Sequence, residues 1–437
     1  MNQSIKEFVG KKLLILGGNP ETIPLVEVAN NMGIKTIVAS ARHNDPAKTY
    51  SWKAADFQGL DSDAVVKIAC DEQVDGILVG VADILVPTYC KACEALNLPC
   101  YATQKIIDVF SFKDTFKRTC ERYGIHGIPE YHLDADLKRE DLDKIIYPVM
   151  VKPVDNGGGV GMTLAYNEEE LKNGVKRALN NSYKKRFIVE RYMDCDDVAM
   201  YFTFKDGYCS FSCIFDRYTL RGQKGLSRVN TLSIYPSKHY NDYINKFHRK
   251  FVKMFEDIGI RNGVLLIAGY YKDGEFYVYD PGFRLQGEAP HLLMKAIHGF
   301  DQREMLIRFA LTGSEGSIDL SKEDSAYFRG KHAATLWILV KDGTIGGIDG
   351  LEAAMKKQGV IYNVQRLFTG DAVLKDSVGT ERQVLTRLYL VSDTQEELAE
   401  TINYCNHKIK VFDVNGNDMR IPLEEANNYV RTIINAD

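Results

Sequence analysis

At 437 residues with 45% hydrophobic side chains, the chain has material for roughly two to four domains, each with its own core. Its 55 basic and 59 acidic residues leave a formal net charge of −4, which excludes a chain-wide field for nucleic acid or an anionic membrane surface. The 9 cysteines are scattered, the Cys90–Cys93 pair has no second pair to complete a zinc knuckle, and no apolar run reaches the ~18 residues of a membrane span, so free thiols in a cytoplasmic protein are expected.

In chain order, KLLILGG (12–18) reads as a buried strand followed by a helix over about 20–32. IKTIVAS is a second strand, 61–73 a helix, VDGILVG a third strand, LVPTYCKACEALN a helix and LPCYA a fourth strand. This alternation predicts a parallel sheet with helices on both faces, closing near residue 105. Gly17-Gly18-Asn19 follows the first strand but lacks the G-x-G-x-x-G pattern, so tight strand-to-helix packing is preferred over NAD binding.

KIIDVFSFKDTFKRTCERYG (105–124) carries apolar residues at helical spacing. YPVMVKP is a strand running into DNGGGVGM, then TLAY is a strand. NEEELKNGVKRALN is a helix capped by Asn167 with Glu170 three residues on, and FIVERYM is a strand. From about 196 the pattern becomes antiparallel, with a turn at Lys205–Gly207, a helix over 240–259 and a hairpin around Lys272-Asp273-Gly274 that delivers Asp280. Beyond about 305, HAATLWILV–KDG–TIGGIDG reads as a further hairpin, and 385–416 as strand, helix, strand.

The strongest chemical signal is KPVDNGGGVGM, 152–162. Three consecutive glycines and Gly161 let backbone N–H groups approach an anion, and Lys152 adds a point charge suited to phosphate. A glycine-rich hairpin loop with a strand-edge lysine is the plain alternative. Lys113 alone reads as a solvated charge. Glu190 and the acids after it suit ribose hydroxyls or a solvated loop equally. YVYDPGFRLQGE (277–288) is either a surface turn or an acid and base, Asp280 and Arg284, at the mouth of a site. Arg217, Arg221, Arg228 and Arg261 suit a substrate carboxylate or plain solvent, and His291 a cap, a packing position or the edge of a site.

The order of Lys113, Lys152, the glycine loop, FIVERYM with its acids, and a hairpin ending in acid–x–x–x–Arg resembles the ATP-grasp superfamily. It is closest to the carboxylate–amine ligases and similar to carbamoyl phosphate synthase and biotin carboxylase ATP-grasp domains. The resemblance implies an α/β and α+β architecture. A Rossmann-like pre-ATP-grasp domain would span 1–105, an ATP-grasp domain 106–300 in subdomains 106–190 and 191–300, and a β-rich α+β domain 301–437.

It also implies roles. Lys113 and Lys152 reach the ATP phosphates, and Asn156, Gly157, Gly158, Gly159 and Gly161 belong to the loop that closes over them. Glu190, Arg191 and Tyr192 run along adenine, Met193 lies near the base, and Asp197 takes the ribose. Asp280 holds magnesium or manganese, and Arg284, with Lys152, is catalytic. The family's usual E-x-N-P-R reads here as Asp280-Pro281-Gly282-Phe283-Arg284, and Ala268 stands where an acid or glutamine is usual, so two expected metal ligands are missing. The implied activity is ATP-dependent ligation of a small carboxylate and an amine, of amino-acid type, through an acylphosphate, with release of ADP and phosphate. A homodimer is common among such proteins. The alternatives are a carbamoyl-phosphate-synthase-like or bicarbonate-using enzyme, and a non-catalytic ATP- or ADP-binding protein with a degraded metal site.

Overall fold

The computed structural model describes residues 8–155, 160–220, 229–421 and 423. Strands β1 (Lys12–Leu16), β2 (Lys35–Ser40), β3 (Lys53–Asp56) and β4 (Gly76–Val79) form a parallel sheet in the order β3-β2-β1-β4. Leu13 to Leu16 are all fully buried, as an unbroken apolar run requires when both sheet faces are covered. Helix α1 (Ile23–Asn31) connects β1 to β2, α2 (Ser62–Glu72) connects β3 to β4, and α3 (Val86–Leu96) follows β4. The expected strand LPCYA does not form. Its Tyr101 turns inward instead, with its ring 5.2 Å from Tyr89 and 5.6 Å from Phe283. The fourth strand is β3, a short and largely exposed edge strand without an apolar pattern to announce it.

One helix was expected over 105–124. There are two, α4 (Gln104–Phe110) and α5 (Lys113–Arg122), because Phe112 is extended at φ −133°, ψ 120° and Lys113 starts a new helix. Then follow β5 (His126–Gly127), β6 (Glu130–Tyr131), α6 (Arg139–Leu142), β7 (Val149–Pro153), β8 (Thr163–Ala165), α7 (Glu168–Asn180) and β9 (Phe187–Arg191). Four of these strands pair in the order β6-β9-β7-β8. Helix α7 packs Leu171 and Val175 on Val149, Val151 and Val189. Its cap is the predicted one: the Asn167 side chain accepts the Glu170 N–H at 2.9 Å. The returning Glu170 carboxylate takes the Tyr166 N–H at 2.8 Å, one residue earlier than a standard capping box.

The remaining elements are β10 (Asp196–Lys205), β11 (Tyr208–Thr219), β12 (Asn230–Tyr235), α8 (Tyr240–Lys246), α9 (His248–Ile258), β13 (Gly263–Lys272), β14 (Glu275–Gly282), α10 (Pro290–His298), α11 (Gln302–Thr312) and α12 (Leu320–Glu323). After them come β15 (His332–Leu339), β16 (Gly343–Asp349), α13 (Leu351–Met355), β17 (Val360–Gln365), β18 (Ala372–Val373), β19 (Val384–Ser392), α14 (Gln395–Lys408) and β20 (Lys410–Asp413). A nine-stranded sheet runs β17-β19-β15-β12-β11-β10-β13-β14-β5, so hydrogen bonding between β12 and β15 carries it across residue 300. The expected hairpin of β15 with β16 is absent. β15 is buried from Ala333 to Leu339 and bonded on both sides, by β12 and β19, while β16 joins β18 and β20 in a separate sheet. Among the described residues no helix is long and apolar enough to cross a membrane.

Candidate active site

Lys152 lies at the end of β7 and Glu190 near the end of β9, on hydrogen-bonded neighbours. Their side chains meet at 2.6 Å, and both residues are almost completely buried. Lys117, one helical turn beyond Lys113 on α5, donates to the other Glu190 oxygen and to Glu130, each at 2.8 Å. Burial pushes the Glu190 carboxyl up, and Lys152 and then Lys117 more than reverse it, holding the group below the usual range. The same contacts hold the Lys117 ammonium above its ordinary value against its own burial.

The Lys152 ammonium stands 5.0 Å over the Tyr279 ring. The Tyr279 hydroxyl donates to Asp197 at 3.1 Å. Asp197 faces Arg217 across β10 and β11. Arg217 in turn points two guanidinium nitrogens at the Glu288 carboxylate. Burial pulls Arg217 down, but Glu288, Tyr279 and Asp197 keep it raised, so this charge stays on. One polar chain therefore links Lys117, Glu190, Lys152, Tyr279, Asp197, Arg217 and Glu288.

The end of β14 faces a second group. Asp280 lies directly opposite Ala268 of β13, so the neighbouring strand offers a methyl group and no oxygen. The Asp280 carboxylate is 2.8 Å from Lys113 Nζ. Burial lowers Lys113, and Asp280, then Asp83 and Glu190, hold it above its ordinary value. Arg284 donates to the Leu285 carbonyl at 2.7 Å, to Gln286 Oε1 at 2.9 Å, and to the carboxylate of Asp83 from the N-terminal unit. The Gln286 amide donates to the carbonyls of Gly282 and Arg284, both at 2.6 Å. A Cβ at Gly282 would come within 2.9 Å of Gln286 Nε2 and 3.1 Å of Asp83 Oδ1. A cavity of about 250 Å³ opens here, lined by Asp83, Phe110, Lys113, Asp155, Asp280 and Arg284 among others.

The fold thus brings together Lys113, Lys152, Glu190, Asp197, Arg217, Asp280 and Arg284, which lie apart in sequence. Two arrive in a different state from the one expected. Both Glu190 oxygens are engaged by lysines. Arg217 is not an open cation for a carboxylate, because Glu288 already occupies its fork. Arg191 and Tyr192 use their backbone N–H groups on the carbonyls of Pro129 and Pro148, at 2.9 and 3.2 Å. Gly161 sits at φ +77°, where a Cβ would meet Asn181 Cβ at 2.7 Å, so only glycine fits. Arg261 goes elsewhere: it is exposed and meets the Asp206 carbonyl at 3.5 Å, at the turn of the β10–β11 hairpin, whose other end carries Asp197 and Arg217. His291 is buried in the core at the start of α10, and burial drops its imidazole to about 3. Asn156, Gly157, Gly158, Gly159, Arg221 and Arg228 lie outside the described residues.

Sequence reasoning missed Asp83, Lys117, Tyr279 and Gln286. Two had a signal. Lys117 stands four residues after Lys113, on the same helical face. Asp83 follows the carboxyl end of β4, where parallel sheets collect their ligands.

Known proteins resemble this chain in sequence and fold. The family model for the D-ala D-ala ligase C-terminus matches residues 129–206. The carbamoyl phosphate synthase large chain of Clostridium beijerinckii is 23% identical over 303 residues, 64% of this chain and 27% of that protein. This chain therefore spans about a quarter of the length of that relative. Among solved structures, the L-amino acid ligase of Bacillus licheniformis superposes with a TM-score of 0.75 at 20% identity, covering 93% of this chain and 99% of that one. Phosphoribosylglycinamide synthetase of Anaerococcus prevotii gives 0.70 at 17%, over 92% and 100%. The chain has the ATP-grasp fold.

The ATP-grasp frame implies magnesium beside the phosphates. Among the described residues no three aspartate, glutamate, histidine or cysteine side chains converge into a ready-made cage. Asp280 and Asp83 at one cavity do fit an ion that takes its remaining oxygens from phosphate and water, as magnesium commonly does. Behind this cavity the 285–288 loop is anchored by Arg387 of β19, whose side chain is fully buried. Arg387 donates to the Gly287 carbonyl at 2.5 Å, to Glu21 of the N-terminal unit at 2.8 Å and to Glu381 at 2.9 Å. Its guanidinium also lies 4.0 Å from the Trp337 ring centre.

Proposed function

We propose that the chain is an ATP-dependent carboxylate–amine ligase that forms an amide through an acylphosphate and releases ADP and phosphate. The observation that carries this reading is the convergence of Lys113, Asp280 and Arg284 on one cavity, with the locked Lys152 beside Tyr279 of the same hairpin. The likeness in fold to a solved L-amino acid ligase supports it.

In this reading Lys113 and Lys152 neutralise the ATP phosphates. Lys152 is held in one position by Glu190, so little reorganisation is needed as charge moves. The glycine run adds backbone N–H donors. Asp280 would hold magnesium, which would supply positive charge to offset that of the phosphates. Arg284 offers a planar donor fork to the transferring phosphoryl group and the acid it joins. The substrate carboxylate attacks the γ-phosphorus and ADP leaves. The amine then attacks the acyl carbon and phosphate leaves. Exclusion of water protects the acylphosphate between the two steps. Amino-acid substrates, a cytoplasmic location and a homodimer belong to the same reading.

A second reading, nucleotide binding without transfer, is favoured by one observation: Ala268 opposite Asp280 removes a carboxylate from the metal position. ADP release from Mg-ATP, measured over pairs drawn from the amino acids and over bicarbonate, separates the cases. Release stimulated by an acid and an amine together supports the ligase. Stimulation by bicarbonate alone points to the carboxylase-like alternative. Nucleotide binding that no substrate ever converts into ADP release removes the ligase.

A further inference from the structure

We infer that Asp83, reaching over from the N-terminal unit, is the second carboxylate of the metal–nucleotide site and stands in for the side chain that Gly282 lacks. The inference rests on the nucleotide site proposed above and adds a ligand to it.

The hairpin supplies only part of a metal site. Asp280 is its one acid facing the cavity, and its cross-strand neighbour is Ala268. Two residues on, Gly282 has no side chain. The space beside it is nonetheless filled: a Cβ built there would be 3.1 Å from Asp83 Oδ1 and 3.0 Å from Gln286 Oε1. The Asp83 carboxylate thus already reaches the volume that a ligating side chain at position 282 would use.

The charges agree. Asp83 and Asp280 line the same cavity, and each is balanced by one cation, Arg284 for Asp83 and Lys113 for Asp280. Lys113 feels both carboxylates, Asp280 more than Asp83. A polyphosphate entering between these groups draws Lys113 onto its own oxygens and frees Asp280 for a cation, while Asp83 keeps Arg284 on Oδ2 and offers the cation Oδ1, the oxygen beside Gly282. Two carboxylates plus phosphate oxygens and water suit magnesium, which rarely uses an all-protein cage. Gln286, whose amide nitrogen is already spent on the carbonyls of Gly282 and Arg284, holds the loop open for this exchange. The site is then complete only when the N-terminal unit is seated on the hairpin, and metal should bind with nucleotide far better than alone.

The test uses Mn2+ and ADP on the full chain, by isothermal titration and by the electron paramagnetic resonance signal of free Mn2+. Asp83→Asn should bind ADP in EDTA within about twofold of the parent, but should lose roughly tenfold or more in Mn2+ affinity when ADP is present. ADP binding with unchanged Mn2+ affinity in Asp83→Asn overturns the assignment and leaves the nucleotide reading standing. No ADP binding in the parent under either condition removes both. An independent measurement needs no variant: anomalous scattering from Mn2+ in crystals of the parent with ADP. Mn2+ within about 2.5 Å of an Asp83 oxygen supports the assignment. Mn2+ held by Asp280 without Asp83 overturns it.

Discussion

Lys152 and Glu190 form a 2.6 Å ion pair on adjacent strands with almost no exposure of either side chain. A buried pair of this kind is a costly thing to break from one side, because the remaining charge keeps its desolvation penalty. It also means that the lysine is aimed before any ligand arrives.

Lys152→Ala should therefore do two things. Nucleotide affinity should fall by about tenfold or more, and stability by about 2–4 kcal/mol, since Glu190 keeps only Lys117. Urea unfolding and nucleotide titration read the two effects separately. Adding Glu190→Gln should restore much of the stability and none of the affinity. Recovery of affinity in the double variant would contradict a phosphate role for Lys152.

Arg284→Ala should leave nucleotide affinity within about threefold while lowering turnover roughly 10²–10³-fold, the range seen when one donor to a developing anion is removed. Titration and ADP release measure these. An equal loss in both would place Arg284 on the resting nucleotide instead of on the transferring group.

Glu315 gives a pH prediction. It is buried beside the β10–β11 turn, and among the described residues neither carboxyl oxygen has a hydrogen-bond partner, while the Gly263 backbone offsets only part of the effect of burial. Burial pushes the carboxyl up to about 8. The folded state then holds a proton that the unfolded chain, with a carboxyl near ~4.3, has released. The native form binds more protons through this window, so this contribution is fully present below ~4.3 and is lost as pH rises from there through 8. Glu315→Gln should be close to parental in stability at pH 5 and more stable by about 2–4 kcal/mol at pH 9. Urea unfolding at both pH values decides it, and a variant equally stable relative to parent at each would sink the idea.

Arg387→Met should cost about 3–5 kcal/mol, because it strands the buried Glu21 carboxylate with Arg366 and leaves Glu381 with the same single partner. Restoring the size without the charge does not help, so Arg387→Gln should be destabilised comparably. Equilibrium unfolding monitors both variants.

Local features were legible in the sequence, and distant pairings were not. The Asn167 cap and the Lys272–Gly274 turn announce themselves, because each depends on neighbours a few residues away. The unbroken apolar run of β1 likewise reads as buried from its own residues, whereas the need for glycine at 161 comes from Asn181, 20 residues on. The partner of Arg284 lies 201 residues back in the chain, and no local pattern marks it. β15 was misassigned to a hairpin with β16 because a turn follows it. Its burial on both sides, which sends it to β12 and β19, is a property of the whole sheet. The pairings of Glu190 and Arg217 escaped the sequence for a related reason. Their residue types fit ligands, and only packing reveals that other side chains already hold them.

The sheet that crosses residue 300 has a consequence for anyone cutting this chain. Ending it after α10 would strip β15 from β12 and expose a long row of unpaired backbone groups, an open template for aggregation. It would also deprive Glu21 of both its arginines, 345 and 366 residues away. The two pieces should be soluble together and insoluble apart, so fragment complementation, and not truncation, is the way to dissect this protein.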